Sequence, residues 1–167
     1  MSAATPREFA ELLLEALDAQ VAQQAKLAAI SEAQTGALAT RDVESVDALT
    51  RALEAAVLDG SAVEQRRAGA AAGLAASLGL DPQAVTLREL VASAPGSLSE
   101  ALQRRSDALA RSIERLRRAS AVNKALIEGE LAVIDRVMRV SRKAEPVTYS
   151  ERGNHDERLR ALLDARA

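Results

Sequence analysis

The sequence predicts an all-α fold, an elongated antiparallel bundle of three long helices with one short helix. Apolar residues make up 48% of the chain but aromatic residues only 1%. The core must therefore be built from Ala, Leu, Val and Ile, which suit close packing between helices. Apolar side chains also recur at steps of three and four over long stretches, and Pro and Gly lie where those stretches end.

The first helix is predicted over 6–39. Thr5 can act as N-cap, Pro6 fits the first helical position, and Glu8 completes a capping box. The apolar stripe contains Phe9, Leu13, Leu17, Val21, Leu27 and Leu38, and four polar residues lie near it: Gln20, Gln24, Ser31 and Gln34. A partly polar seam fixes the register of packed helices at a cost in stability.

The second helix is predicted over 43–78, after a break at Gly36–Asp42. Its apolar positions alternate steps of three and four, which is typical of a coiled coil. Gly60, Gly69 and Gly73 allow another backbone to approach closely. Gly79 followed by Leu80 predicts a left-handed C-cap with a hydrophobic contact.

A short helix is predicted over 87–93 and a much longer one over 98–143. Thr86 and Glu89 form a capping box for the first, and Ser97 and Glu100 form one for the second. Because the links are short, the three long helices are expected to pack antiparallel. Glu145-Pro146 ends the last helix, so we predict one helical domain over 1–144 and a flexible tail over 145–167, in which residues 155–166 can form a short helix.

Composition excludes several kinds of site. With no Cys and with His155 as the only His, zinc fingers, disulfide scaffolds and Cys nucleophiles are ruled out. The chain shows no Gly-rich phosphate loop and no metal-ligand spacing. We therefore expect no cofactor, no metal and no enzymatic activity. The sequence shows neither a signal peptide nor an 18-residue apolar run, so we expect a cytoplasmic protein without membrane insertion.

The charge is uneven along the chain. Residues 1–100 carry 7 basic and 14 acidic side chains, whereas residues 101–167 carry 15 basic and 10 acidic ones. The basic excess lies mostly in 104–124. It favours pairing with the acidic first half when the helices fold back on each other, and nucleic-acid binding is the alternative. No aromatic residues are interleaved for base stacking, so no nucleic acid is expected.

The second half of the longest helix is the candidate binding region, because its large apolar residues cover more than one narrow stripe. They include Leu126, Ile127, Leu131, Ile134, Val137 and Met138. This face is either bundle core or a surface that receives an amphipathic helix. Asn123 on the seam either fixes register or offers its amide to a partner. Tyr149, the only Tyr, either anchors a partner or packs back on the bundle.

Two segments near the C-terminus carry a recognisable pattern: Asn123-Lys-Ala-Leu-Ile-Glu-Gly-Glu-Leu131 and Glu145-Pro-Val-Thr-Tyr149-Ser-Glu-Arg-Gly153. Together they resemble the C-terminal signature of the FlgN family of bacterial flagellar export chaperones. The first half is similar in style, with a short link at Arg41-Asp42 and a short helix beginning at Thr86-Leu87.

The resemblance implies a type III export chaperone, a monomer or homodimer that visits the membrane-bound export gate transiently. Its clients would be hook-associated proteins, whose C-terminal helices it would keep from premature assembly. The implied gate-binding residue is Tyr149, which would contact the cytoplasmic domain of the gate. The predicted client-binding residues are Asn123, Leu126, Ile127, Leu131, Ile134, Val137 and Met138. A generic coiled-coil adaptor is the alternative, and a helical protein that binds nucleic acid through 104–124 is the third interpretation.

Overall fold

The computed structural model describes residues 5–143, and the chain in that range is all-helical. The helices are α1 (Pro6–Thr40), α2 (Val43–Ser77), α3 (Leu87–Ser93) and α4 (Gly96–Lys143). Each boundary lies within two residues of its predicted position. The predicted fold class is confirmed, since the described range contains helices and no strand.

The chain divides into two compact units, residues 1–127 and residues 128–167. The structure describes residues 5–127 of the first unit and residues 128–143 of the second. The predicted domains, 1–144 and 145–167, stay a prediction.

Local hydrogen bonds begin α1 and α3 as the sequence predicts. The Glu8 N–H donates to Thr5 Oγ1 (3.3 Å), and the Thr5 N–H donates to the Glu8 carboxylate (2.6 Å). Thr86 and Glu89 repeat this arrangement, with corresponding distances of 3.3 and 2.7 Å. Both capping boxes satisfy N–H groups that the helix itself leaves unpaired.

The link between α1 and α2 is shorter than predicted. Gly36 lies inside α1, and only Arg41 and Asp42 separate the two helices. Arg41 takes the left-handed conformation (φ 56°), which lets the Asp42 N–H donate to the Ala37 carbonyl at 2.9 Å. Asp42 in turn caps α2 by accepting from the Ser45 N–H at 3.1 Å. The predicted break over Gly36–Asp42 was therefore too wide.

The end of α2 has the predicted glycine cap. Gly79 has a φ of +73°, and the Leu80 N–H donates to the Ala75 carbonyl at 2.9 Å. This is the Schellman arrangement, in which the residue after the glycine closes the last turn. Leu80 packs against the hydrophobic core, as the predicted contact requires.

The start of α4 differs from the prediction. The helix begins at Gly96, which has a φ of +35°, and the Leu98 N–H donates to the Pro95 carbonyl at 3.0 Å. Ser97 therefore lies in the first turn, and its predicted role as N-cap in a capping box is wrong. Ser99 instead donates its hydroxyl to the Val91 carbonyl at 2.7 Å, which ties α4 to α3.

The two helices α1 and α2 pack closely and run in opposite directions. Gln20 Nε2 donates to the Glu64 carboxylate at 2.9 Å, and Gln34 Nε2 donates to Thr50 Oγ1 at 3.0 Å. The contact at residue 20 of α1 is to residue 64 of α2, and the contact at residue 34 is to residue 50. The two helices are therefore antiparallel. These contacts come from two of the polar seam residues that the sequence indicates.

Within residues 5–127, α4 contacts α1 through two ion pairs and runs in the same direction as α1. Arg105 Nη2 donates to Asp18 at 2.7 Å, and Arg115 Nε donates to Glu32 at 2.6 Å. Two residues of the basic stretch thus pair with acidic residues of the first half, which is the interpretation that the sequence favoured. The hydrogen bond from Arg115 is the main reason that the pKa of Glu32 is lowered from its ordinary value.

The core of residues 5–127 is aliphatic and lies where all four helices meet. Its largest members are at most 1% exposed: Leu13, Leu17, Leu74, Leu90 and Leu102. Alanines of α1 and α2 fill the space between them, and Phe9 packs against the same cluster. The Phe9 ring occupies the place that a Cβ would take at Gly73, with Cγ only 2.8 Å from that point. The close approach predicted for Gly73 is therefore made by an aromatic ring.

Candidate functional site

Asn123 is buried, 7% exposed, on the side of α4 that contacts α1. Its Nδ2 donates to the Ser31 carbonyl at 2.8 Å, and its Oδ1 accepts from the Thr35 hydroxyl at 2.6 Å. Ser31 itself is only 2% exposed. Both polar ends of the amide are thus used inside the chain. Its role in client binding stays a prediction. Its hydrogen bonds to α1 fit the other predicted role, which is to fix the register of α4 against α1.

The next two predicted residues also lie within residues 5–127. Leu126 is half-buried, and Ile127 is 46% exposed. They follow Asn123 by three and four residues and so lie on the same side of α4, but both are more exposed than Asn123.

The remaining predicted residues lie in residues 128–143 and are all exposed. The exposed apolar side chains of this range are each between 49% and 63% exposed: Leu131, Val133, Ile134, Val137, Met138 and Val140. We call these six side chains the apolar face. An α-helix turns about 100° per residue, so the apolar face covers about half of the circumference of α4.

Charged side chains occupy the opposite side of this stretch. Asp135, Arg136 and Arg139 are exposed, and Arg139 Nη1 pairs with the Asp135 carboxylate at 2.8 Å. The helix is therefore amphipathic, with an apolar half that nothing covers among the residues described. A contiguous exposed apolar surface of this kind is typical of an interaction site.

The predicted client-binding residues leave out two members of the apolar face, Val133 and Val140. Both lie on the same side of the helix as Val137 and outside the stripe of Leu131, Ile134 and Met138. Extending the second stripe from Val137 by four residues back and three residues forward would have found them, because residues at these spacings share one helix face.

The other exposed large aliphatic side chains are scattered. Leu12 belongs to α1, Val43, Val57 and Leu58 belong to α2, and Val122 and Ile127 belong to the part of α4 before residue 128. Single exposed aliphatic residues are normal on protein surfaces. The density of residues 131–140 is what distinguishes them.

Tyr149, the predicted gate-binding residue, lies outside the described residues. Within those residues, none of the helices combines the length and apolar character that crossing a bilayer requires. The same part of the chain holds no cluster of three side chains that could ligate a metal ion.

A comparison with known families decides what kind of protein carries this surface. A family model described as FlgN protein matches residues 9–157. The chain belongs to the FlgN family. Searches of curated proteins and of solved structures returned no match.

FlgN proteins are flagellar export chaperones, so the resemblance seen in the sequence is confirmed. The FlgN match extends over all four helices and includes the apolar face, Asn123 and Tyr149.

Proposed function

We propose that the chain is a flagellar export chaperone that binds C-terminal helical segments of hook-associated proteins through α4. It keeps them from assembling early and delivers them, in the cytoplasm, to the export gate. Membership of the FlgN family supports the chaperone role. The observation that carries the proposal is the apolar face, six exposed apolar side chains within residues 131–140.

The chemistry of the apolar face fits a helical client. Terminal helices that assemble with other subunits bear apolar stripes, and such a stripe can pack against a second apolar helix face. Met138 adds an adaptable, polarizable side chain that tolerates different partner shapes. A face of about half the circumference has room for more than one narrow seam.

The same chemistry favours release. Tight interfaces depend on a few buried Trp, Tyr or Arg anchors, whereas the apolar face is entirely aliphatic apart from one Met. We therefore expect moderate affinity, which suits a chaperone that must hand its client on. The predicted packing of the three long helices as an antiparallel bundle forms part of the proposal as the scaffold.

Client binding is tested by titrating the full chain with a synthetic C-terminal helical peptide of a hook-associated protein. Ile134→Glu places a charge in the middle of the apolar face while keeping a good helix former. We expect the affinity to fall roughly tenfold or more, since burying an Ile side chain is worth about 1.5–3 kcal/mol. Leu58→Glu, which makes the same kind of change at a side chain 76% exposed on α2, is the matched control.

Two outcomes would overturn the proposal. Equal losses for Ile134→Glu and Leu58→Glu would show that the apolar face is not the client site. A stable oligomer that fails to bind the peptide would instead indicate a coiled-coil adaptor, and sedimentation with and without peptide separates the two.

Gate delivery is tested separately with Tyr149→Ala. We expect this variant to lose binding to the cytoplasmic domain of the export gate while it keeps the client peptide. Loss of client binding with intact gate binding would contradict the roles proposed for Tyr149 and for the apolar face.

A further inference from the structure

A second surface lies between α1 and α4 within residues 5–127. It is an open groove of about 860 Å³. The residues lining it are Glu32, Thr35, Ala110, Arg111, Glu114, Arg115, Arg118, Ala119 and Val122. None of them belongs to the apolar face.

The floor of the groove is made of small or aliphatic side chains. Ala110, Ala119 and Thr35 leave space between the two helices, and Val122 is 48% exposed at its margin. Such a floor can accept aliphatic side chains but offers nothing to a phosphate group.

The rim of the groove is rich in arginine. Arg111, Arg115 and Arg118 are spaced by four and three residues, so they share one side of α4. Arg115 is paired with Glu32 and Arg118 with Glu114. Among the residues described, no acidic side chain lies within ion-pair distance of Arg111. The lining therefore carries three positive and two negative charges.

We propose that this groove binds an amphipathic helix of a protein partner that carries acidic side chains beside its apolar stripe. The apolar side chains of the partner pack on Ala110, Ala119 and Val122. Its carboxylates pair with Arg111, whose planar guanidinium can bind a carboxylate through two hydrogen bonds. Arg115 and Arg118 are exposed and can exchange their present partners for those of the incoming helix.

A protein helix fits these observations better than a nucleic acid. A single strand needs aromatic side chains for base stacking, and the one aromatic residue among those described, Phe9, is packed on the core. A duplex would contact the arginines and leave the apolar floor unused. The combination of apolar floor and arginine rim matches both sides of an acidic amphipathic helix.

The test uses three probes with the full-length chain. The first is a 15-residue amphipathic helical peptide with leucines along one stripe and glutamates beside it. The second is the same peptide with lysine in place of glutamate, and the third is a single-stranded oligonucleotide. We expect the acidic peptide to bind and the other two to bind at least tenfold more weakly.

Arg111→Glu is expected to lower the affinity for the acidic peptide tenfold or more. Arg117→Glu, an equal charge change at an exposed residue of α4 outside the lining, is the matched control and should change the affinity less than twofold. Ala110→Trp should abolish binding by filling the floor without changing any charge. Circular dichroism of each variant checks that helix content is retained.

Equal binding of the acidic and lysine peptides, or equal effects of Arg111→Glu and Arg117→Glu, would overturn the proposal. Binding of the oligonucleotide in place of the acidic peptide would overturn it in favour of nucleic acid. Loss of binding in Ile134→Glu but not in Arg111→Glu would place the peptide on the apolar face instead.

Discussion

Large aliphatic side chains have opposite surroundings in residues 5–127 and in residues 128–143. In the first range, Leu17 and Leu102 are fully buried, whereas in the second Leu131 is 59% exposed. All three belong to apolar stripes with the same helical spacing. The difference shows that periodicity defines which side of a helix is apolar, while the tertiary partner decides whether that side stabilises the fold or stays available for binding.

The largest expected effect compares Leu17→Ala with Leu131→Ala. Leu17→Ala leaves a cavity in the aliphatic core, so we expect the free energy of unfolding to fall by about 2–5 kcal/mol. Leu131→Ala removes an exposed side chain and should change it by less than about 0.5 kcal/mol. Urea denaturation measures both values.

The order of the two effects should be reversed when affinity for the client peptide is measured. Leu131→Ala is expected to lower the affinity for the client peptide. Leu17→Ala should leave that affinity unchanged under conditions where the chain is folded. If Leu131→Ala destabilises the protein as strongly as Leu17→Ala, the apolar face is covered in solution and the comparison fails.

Local signals explain why the helix boundaries could be predicted. Thr5, Thr86 and Gly79 act through hydrogen bonds to residues at most five positions away, so neighbouring sequence contains the whole interaction. Ser97 shows the limit of such signals, because the Pro95 carbonyl begins the helix earlier than the capping pattern indicates.

The candidate site could be predicted only in part. Leu102 and Leu131 both belong to α4, yet Leu102 packs in the core with residues of other helices, whereas Leu131 is 59% exposed. The partners of Asn123 are about 90 positions away in sequence, at Ser31 and Thr35. Sequence spacing placed Asn123 on the seam but could not identify which groups it would meet.

Asn123→Ala asks whether this amide stabilises the fold or contacts the client. The substitution removes the two hydrogen bonds that Asn123 makes to α1 and leaves the Thr35 hydroxyl only its 3.1 Å bond to the Ser31 carbonyl. Two lost hydrogen bonds correspond to a fall of about 1–3 kcal/mol in the free energy of unfolding. Affinity for the client peptide should stay within twofold when the variant is folded. A loss of affinity without a loss of stability would instead assign Asn123 to the client site.

Gly73→Ala and Gly69→Ala test the tight packing of residues 5–127. Both add one methyl group, but we expect opposite effects on the free energy of unfolding. A Cβ at residue 73 would collide with the Phe9 ring, so we expect a net loss of about 1–3 kcal/mol. A Cβ at residue 69 meets nothing within 4 Å, and the better helix propensity of Ala should stabilise the chain by about 0.5–1 kcal/mol. Thermal unfolding of both variants gives the two signs directly, and equal signs would contradict the packing of Phe9 on Gly73.

The smallest expected effect is a loss of stability in acid. It involves Glu64 of α2, which also accepts a hydrogen bond from Gln20 of α1. The hydrogen bond from Arg67 is the main reason that the pKa of Glu64 is lowered, and Gln20 contributes a further hydrogen bond. Because the folded pKa lies below the unfolded one, the unfolded chain binds more protons in this range. The stabilisation is therefore present above the unfolded value of about 4.3 and is lost as the pH falls through the folded pKa.

Glu64→Gln should make the free energy of unfolding depend less steeply on pH as the pH falls below the unfolded pKa of about 4.3. Arg67→Met should flatten the slope in the same way, since it removes the main cause of the lowered pKa. Urea denaturation at several pH values measures the slope, and the effect is small because the Glu64 side chain is half exposed. An unchanged slope in both variants would show that the ion pair of Arg67 with Glu64 adds nothing to the pH dependence of stability. The acid sensitivity of residues 5–127 would then have to come from other carboxylates, among which Glu32, with its pKa lowered by Arg115, is the next to test.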